Sequence, residues 1–175
     1  MPFEYNIDYW DKMIRQNSPT AKQISKVRWN FVRPAKAKRV LDFGSGPGFF
    51  RAFRPVGIEV DTFDINPYPQ TGILHEVYDL ITFWDVMEHF EDLEEFFKKI
   101  DASGAKYVAL TIPVMKEGLD LMSWKHYKPG EHFHYFSEEE LIKVFKDKNF
   151  RVVRSGFPEC PPREDILSVL LKKNG

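Results

Sequence analysis

A run of alternating glycines is the part of this sequence best suited to chemistry. The segment DFGSGPG, residues 42–48, follows a short apolar stretch. A loop of this kind, running from a strand into a helix, lets the backbone approach a ligand closely because glycine has no side chain. A dinucleotide-binding loop needs a further glycine where this sequence has Phe49. The carboxylate of Asp42 would repel a pyrophosphate but can accept a hydrogen bond from an ammonium group. The loop therefore predicts a cofactor that carries an ammonium group and no phosphate.

A second acid, Asp64, ends the next apolar stretch, 20 residues after Gly44. In an open parallel sheet the carboxyl ends of neighbouring strands meet at one crevice, so a carboxylate here can bind both hydroxyls of a ribose beside the loop. Asp61 is the competing choice, but it lies in the middle of the predicted strand. The alternative is an acid that simply ends a strand in a turn before Pro67.

A third segment, YDLITFWDVMEHF at residues 78–90, combines an apolar strand with aromatic, acidic and histidine side chains at its end. Aromatic ring faces attract positive charge. We therefore expect Phe83, Trp84 and Asp85 to lie beside the positively charged part of a cofactor.

Three segments resemble the class I S-adenosylmethionine-dependent methyltransferase family. VLDFGSGPG resembles its cofactor loop, YDLITFWDVMEHF is similar to the fourth-strand segment of its small ubiquinone-biosynthesis-like branch, and HFHYFSEEEL resembles the end of its substrate-covering segment. The resemblance spans roughly residues 38–172 and implies S-adenosylmethionine, which has an ammonium group and no phosphate, as the cofactor. The cofactor-binding residues it implies are Asp42, Gly44, Ser45, Gly46, Gly48, Asp64, Ile65, Phe83, Trp84 and Asp85.

The same resemblance raises the question of a metal. Related Glu-x-x-Glu-His turns in small-RNA 2′-O-methyltransferases and ubiquinone-pathway O-methyltransferases hold a divalent metal with the help of a later histidine. A metal would lower the pKa of a substrate hydroxyl. Many methyltransferases carry the Glu-His pair without a metal, so we favour a role in buttressing the following helix and assign no metal ligands. The positions in question are Asp85, Glu88 and His89, with His126, His132 or His134.

Two histidines are candidate catalytic residues. Methyl transfer is an in-line displacement, to which an enzyme mostly contributes proximity and orientation. An oxygen or nitrogen nucleophile still needs a base, and histidine is the side chain best suited to that role near neutral pH. We predict that His89 and His132 serve this role.

Alternating strand and helix patterns must position these residues. Apolar runs bounded by turn residues predict strands at residues 39–43, 57–63, 78–84, 106–112, 150–155 and 166–171. Helices are predicted within the first 35 residues, with a break at Ser18-Pro19, and at residues 91–100 and 141–148, the last opened by a capping box at Ser137. This order predicts an α/β, Rossmann-like, doubly wound and mostly parallel sheet, with one antiparallel strand near the C-terminus.

The sequence departs from the family after Asp64. Only 13 residues separate Asp64 from Tyr78, where family members place a helix and a third strand. A helix plus a strand needs more residues than this, and Pro67, Pro69 and Gly72 disfavour a helix. We therefore predict that the third strand and its preceding helix are missing or vestigial, which leaves the Asp64 strand at or near the sheet edge.

Composition and charge indicate which partners and which cellular location to expect. The 175 residues carry a net charge of −1, which does not favour nucleic acid, and we interpret the basic cluster Arg28, Arg33, Lys36, Lys38 and Arg39 as a solvated helix face. One cysteine and no long apolar stretch predict a cytoplasmic protein without a membrane segment. We expect a single domain with a helical lid (1–37), a cofactor-binding half (38–112), a substrate-covering loop (113–136) and a C-terminal helix and strands (137–175).

Four functions remain to be weighed. The first is methyl transfer from S-adenosylmethionine to an unidentified small molecule. The second is metal-assisted O-methylation of a hydroxyl of RNA or of a phenol. The third is a degenerate, non-catalytic binding protein with a methyltransferase fold. The fourth is a nicotinamide-dependent oxidoreductase, which Phe49 and Asp42 disfavour.

Overall fold

A computed structural model describes residues 7–65, 70–73, 75, 77–161 and 163–175, with side chains from Pro19 onward. The helices are α1 (Ile7–Val32), α2 (Phe49–Ala52), α3 (Leu93–Ala102) and α4 (Glu138–Asp147). The strands are β1 (Arg39–Phe43), β2 (Glu59–Phe63), β3 (Leu80–Trp84), β4 (Tyr107–Pro113), β5 (Phe150–Gly156) and β6 (Ile166–Lys173). They form one sheet in the order β2-β1-β3-β4-β6-β5. Strand β6 runs antiparallel to both of its neighbours, and the remaining pairings are parallel, so the predicted fold class is confirmed.

The sheet is buried between two helical layers. All five residues of β3 are buried, as expected for a central parallel strand covered on both faces. Helices α3 and α4 cover one face with Phe96, Phe97 and Phe145. Helices α1 and α2 cover the other, where the rings of Trp29 and Phe50 stack with centroids 4.0 Å apart. The stacking ties α1 to the short helix that follows the glycine loop.

The region after β2 bears out the predicted shortening. Among the described strands, β2 is at the edge of the sheet. Thr62 of β2 donates its backbone N–H to the Thr71 hydroxyl at 2.7 Å, and its carbonyl accepts from Gly72 N at 3.2 Å. The amide side chain of Gln70 pairs with the backbone of Asp64, accepting from its N–H at 2.8 Å and donating to its carbonyl at 2.5 Å. Two side chains thus make hydrogen bonds that a third strand would otherwise supply.

Two local predictions need correction and one is confirmed. Helix α1 continues through Pro19, so the predicted break is wrong: the missing proline amide removes one hydrogen bond, and the other hydrogen bonds of this 26-residue helix remain. Helix α3 begins two residues later than predicted, because Asp92 caps it by accepting from Glu94 N. The capping box of Ser137 and Glu140 is present at the start of α4. Within the described residues, none of these helices has the length and apolarity needed to cross a bilayer.

Candidate functional site

The glycine loop is held from two sides. Gly44 N and Ser45 N donate to the carbonyl of Phe63 at 2.7 and 3.2 Å, which joins the loop to the end of β2. On the other side, a Cβ built on Gly44 would lie 2.4 Å from a methyl carbon of Val86, in the turn after β3. The three loop glycines have left-handed backbones, with φ of 74°, 49° and 75° at Gly44, Gly46 and Gly48. Glycine is required at Gly44 both for its conformation and for the close approach of Val86.

Asp64 lies against this loop, where the sequence placed it. Its side chain is buried, and Oδ2 accepts a hydrogen bond from Gly46 N at 2.6 Å. Asp61, the competing acid, instead accepts from the hydroxyl of Tyr78 at 2.6 Å. Ile65, the next predicted cofactor residue, is 89% exposed. The geometry shows a carboxylate that fixes the glycine loop through Gly46.

Asp42 presents an unpartnered acceptor. Its side chain is 1% exposed, Oδ1 accepts from the Thr82 hydroxyl at 2.8 Å, and Oδ2 is buried with no hydrogen-bond partner. Burial raises the pKa of Asp42 to about 7, although the Thr82 hydrogen bond and the positive charge of Arg28 oppose the rise. A buried acceptor without a donor is unfavourable and calls for a partner. The residue therefore fits a ligand that brings a donor such as an ammonium group.

The side chains at the end of β3 point to opposite faces of the sheet. Phe83 is fully buried between Phe43 and Phe96, with ring centroids at 5.5 and 4.5 Å. Trp84 lies on the α1 face, where the guanidinium carbon of Arg28 is 4.8 Å from its ring centroid. The indole Nε1 of Trp84 is buried without a hydrogen-bond partner. Trp84 therefore remains the better candidate for a ligand contact, and Phe83 serves the core.

The carboxylate of Asp85 forms ion pairs with two arginines. Its Oδ2 accepts from Arg28 Nη2 at 3.2 Å and contacts Arg163 Nη2 at 2.8 Å, and its Oδ1 accepts from the Thr111 hydroxyl at 3.0 Å. Burial alone would raise the pKa of Asp85, but the two guanidinium groups hold it below its usual value. The side chain of Arg28 is 14% exposed, so its assignment to a solvated helix face is wrong. The sequence gives no signal for these ion pairs because their partners are far apart in the chain.

Glu88, His89 and His132 form a close group. One potential ligand atom of each lies within 4.8 Å of the others, and Asp85 is not a member of this group. The rings of His89 and His132 meet edge to face with centroids 4.8 Å apart. Glu88 is 2% exposed, and its Oε2 is buried with no hydrogen-bond partner. Burial, and secondarily the charge of Asp85, raises the pKa of the Glu88 carboxyl well above its usual value.

The two imidazoles of the group are held in the neutral form. Burial lowers the pKa of His89, and burial together with the nearby His89 and Lys128 lowers that of His132 to about 4. His89 Nδ1 lies 2.9 Å from the carbonyl oxygen of Glu131. Because a carbonyl only accepts, Nδ1 is the donor, and Nε2 of neutral His89 carries a lone pair. The pair is thus able to accept a proton or to bind a cation.

The two remaining candidate histidines lie outside this group. His126 packs edge-on against Trp124, with centroids 5.2 Å apart, and His134 stacks on Phe136 at 5.9 Å. The Nε2 atoms of both histidines are buried without hydrogen-bond partners. Of the predicted helical lid (1–37), residues 1–6 lie outside the described residues, and only the helical backbone is described for residues 7–18.

Comparison with known proteins identifies the class. A family model described as Methyltransferase domain matches residues 9–155, which is most of the chain. The chain therefore belongs to this methyltransferase family. It is an S-adenosylmethionine-dependent methyltransferase with a Rossmann-like fold, as the sequence predicted. Comparison with curated proteins found no significant relative.

Solved structures share the fold at low sequence identity. One is magnesium protoporphyrin IX methyltransferase from Synechocystis, solved with bound S-adenosylhomocysteine. It is 17% identical to this chain with a TM-score of 0.65, and the match covers 99% of this chain and 90% of the Synechocystis protein. The 1,6-didemethyltoxoflavin-N1-methyltransferase of Burkholderia thailandensis is 16% identical with a TM-score of 0.61, covering 100% and 93%. Mitomycin 7-O-methyltransferase is 10% identical with a TM-score of 0.66 and covers 94% of this chain, which spans only 60% of that protein.

Proposed function

We propose that this protein methylates a hydroxyl group of a small molecule, with His89 as the base. The observation that carries the proposal is a pair of imidazoles, half-buried His89 and buried His132, whose rings meet edge to face and whose pKa values burial lowers. His89 lies in the turn after β3, and Val86 of that turn approaches Gly44 of the glycine loop. Neighbouring methyltransferases of the same fold act on a porphyrin and on a toxoflavin precursor, which supports a small-molecule acceptor.

S-adenosylmethionine supplies a methyl group on a positively charged sulfur. In the proposed reaction the acceptor oxygen forms a bond to the methyl carbon as the carbon–sulfur bond breaks, and the hydroxyl proton passes to His89 Nε2. Because the pKa of His132 is about 4, His132 is the weaker base and serves to shape the acceptor side. We assign Asp42 to the cofactor's ammonium group and Asp64 to its ribose.

Calorimetric titration with S-adenosylmethionine and S-adenosylhomocysteine tests the cofactor assignment. We expect Asp64→Asn to weaken the binding of both ligands about tenfold or more, because hydrogen bonds to a charged group contribute about 1.5–3 kcal/mol each. Asp61→Asn is the matched control, since Asp61 lies on β2, the strand that ends just before Asp64, but pairs with Tyr78. Equal affinity for the wild type and Asp64→Asn would contradict the ribose assignment. No binding of either ligand at high micromolar concentration would contradict the proposal as a whole.

The base is tested by the pH dependence of methyl transfer to a panel of phenols. A base must be neutral to accept a proton, so activity falls as the pH drops through the pKa of His89. Because burial lowers that pKa below its usual value, we expect the acid limb to lie below pH 6.5 and to disappear in His89→Gln, whose residual rate is about 100-fold or more lower. An unchanged acid limb in this variant would exclude His89 as the base.

A second candidate function, metal-assisted O-methylation of a phenol or an RNA hydroxyl, is favoured by Glu88. Its buried Oε2 has no hydrogen-bond partner and belongs to the group with His89 and His132. His89 also bonds through Nδ1 to the backbone carbonyl of Glu131, as histidine ligands of metals commonly do. These residues therefore fit a divalent ion, which when bound would lower the pKa of a substrate hydroxyl.

Metal titration separates the two candidates. If the second is correct, Mn²⁺ or Zn²⁺ binds the wild-type protein, and Glu88→Gln and His132→Ala each reduce its affinity by at least about tenfold. His134→Ala is the control, because His134 is a nearby histidine outside the group. Activity that persists unchanged after chelation, on a substrate the protein methylates well, would reject the metal and leave the histidine base. A phenol and an oligoribonucleotide compared as substrates would identify the acceptor class.

A further inference from the structure

A fully buried carboxylate lies in the connection between β5 and β6. The side chain of Glu159 has 0% exposure. Its Oε1 accepts from Arg28 Nε at 2.6 Å, and its Oε2 accepts from Arg163 Nη1 at 2.6 Å and from Arg28 Nη2 at 3.4 Å. A buried charge persists only when it is paired and hydrogen-bonded. Glu159 is therefore built around these two arginines.

The same two arginines hold Asp85. Two carboxylates and two guanidinium groups thus form one charge-balanced network, which joins α1, the end of β3 and the β5–β6 connection. Asp85 has a left-handed backbone, with φ of 60°, which is uncommon outside glycine and is held here by three side-chain donors. The residue that follows it, Val86, contacts the glycine loop. The network therefore governs the turn that shapes the predicted cofactor crevice.

The network also lies close enough to the cofactor residues to act on them electrostatically. Arg28 stacks on Trp84, and its positive charge acts on the buried carboxyl of Asp42. S-adenosylmethionine brings two positive charges to this crevice, an ammonium and a sulfonium. Unbalanced guanidinium groups beside it would repel both.

We propose that Glu159 is a positioning residue that neutralises Arg28 and Arg163, so that the Asp85 turn is fixed and the crevice accepts a sulfonium. This inference rests on the proposed binding of the cofactor by Asp42 and Asp64. It assigns to the β5–β6 connection a role in choosing the charge state of the bound cofactor. Removing the Glu159 charge leaves one surplus positive charge in the network.

The affinity ratio of S-adenosylmethionine to S-adenosylhomocysteine reports this role, because the two ligands differ in the methyl group and the sulfonium charge. Two unit charges roughly 10 Å apart at an effective dielectric constant of about 20 change an affinity by about tenfold. We expect Glu159→Gln to lower this ratio by about tenfold. Arg163→Gln removes a charge of the opposite sign and is expected to raise the ratio, and the double variant should return it to the wild-type value.

Calorimetric titration of the full chain provides the measurement, with thermal melting to verify folding. Glu94→Gln is the matched control. It removes an exposed carboxylate of α3 that pairs with Lys148, and it should leave the affinity ratio of the two ligands unchanged. If Glu159→Gln weakens both ligands equally, the role is merely structural and the proposal is overturned. If Glu159→Gln does not fold, the other two variants test the proposal. We then expect Arg163→Gln to raise the affinity ratio and the double variant to restore the wild-type ratio, and the absence of these changes would overturn the proposal. A wild-type protein that binds neither ligand would contradict the proposed function itself.

Discussion

Asp42→Asn is the most informative single substitution in this protein. The carboxyl of Asp42 has a pKa of about 7 when folded and 3.8 as its ordinary value, with burial as the largest cause. At a pH between 3.8 and about 7, Asp42 is protonated in the folded protein and ionised in the unfolded chain. The free energy of unfolding therefore falls as the pH rises through this range and is lowest above about pH 7. The rise from 3.8 to about 7 corresponds to up to about 4 kcal/mol of folding free energy, at about 1.4 kcal/mol for each tenfold change in the acid dissociation constant.

Urea unfolding followed by circular dichroism at several pH values measures this effect. The variant side chain has nearly the same shape as the protonated acid and does not ionise. We therefore expect the free energy of unfolding of the variant, relative to that of the wild type, to increase by up to about 4 kcal/mol as the pH rises from about 4 to about 7.5. Other titrating groups, including Glu88 and His132, are present in both proteins and cancel in the difference. A difference that stays constant over this range would refute the reasoning, because Asp42 would then be ionised throughout.

The same carboxyl makes a linked prediction for ligand binding. An ammonium group that donates to Asp42 Oδ2 favours the charged carboxylate and lowers its pKa. Near pH 6 the wild-type protein should therefore release a proton on binding S-adenosylhomocysteine, and Asp42→Asn should not. Calorimetry in buffers of different ionisation enthalpy measures that proton directly.

Three stability predictions concern parts of the fold that position the site. Gly44→Ala should destabilise the protein more than Gly48→Ala, since both have φ near 75° but only the first places its Cβ 2.4 Å from Val86; equal thermal melting would contradict the close packing. Ser137→Ala removes the capping box of α4 and should cost about 1 kcal/mol by urea unfolding. Phe96→Ala empties a fully buried position and should cost about 3–5 kcal/mol, so a loss below about 1 kcal/mol would mean that this core is not packed as described.

The placement of the predicted cofactor residues in the fold was predictable because the information for it is local. Asp42 and the glycines follow one another in the chain, and sheet topology alone brings Asp64 and Trp84 to the same edge. That no third strand pairs with β2 among the described residues was predictable from chain length, because 13 residues cannot hold a helix and a strand. The two hydrogen bonds between the Gln70 side chain and the backbone of Asp64 could not be predicted, since no sequence pattern indicates them.

The acceptor side could be predicted only in part. The sequence singled out His89 and His132 as candidate bases, but for a metal it left open which of His126, His132 and His134 joins the turn, because the path of residues 113–136 decides this. Arg28 and Glu159 are 131 residues apart, and no period or motif connects them. Both residues look like ordinary surface charges in the sequence. Their burial becomes apparent only when α1 and the β5–β6 connection meet at the end of β3.

Among the described strands β2 is at the edge of the sheet, which raises the question of how Asp64 is held in place. An edge strand leaves a row of backbone groups unpaired and is free to shift in register. Here the backbone of Asp64 is fixed by the Gln70 amide, and its carboxylate is fixed by Gly46 N of the loop. The acid and the glycine loop are therefore joined by a hydrogen bond that does not depend on a third strand. Within the described residues, where no strand pairs with the outer edge of β2, the short segment after β2 thus supports the predicted ribose ligand through the side chain of Gln70.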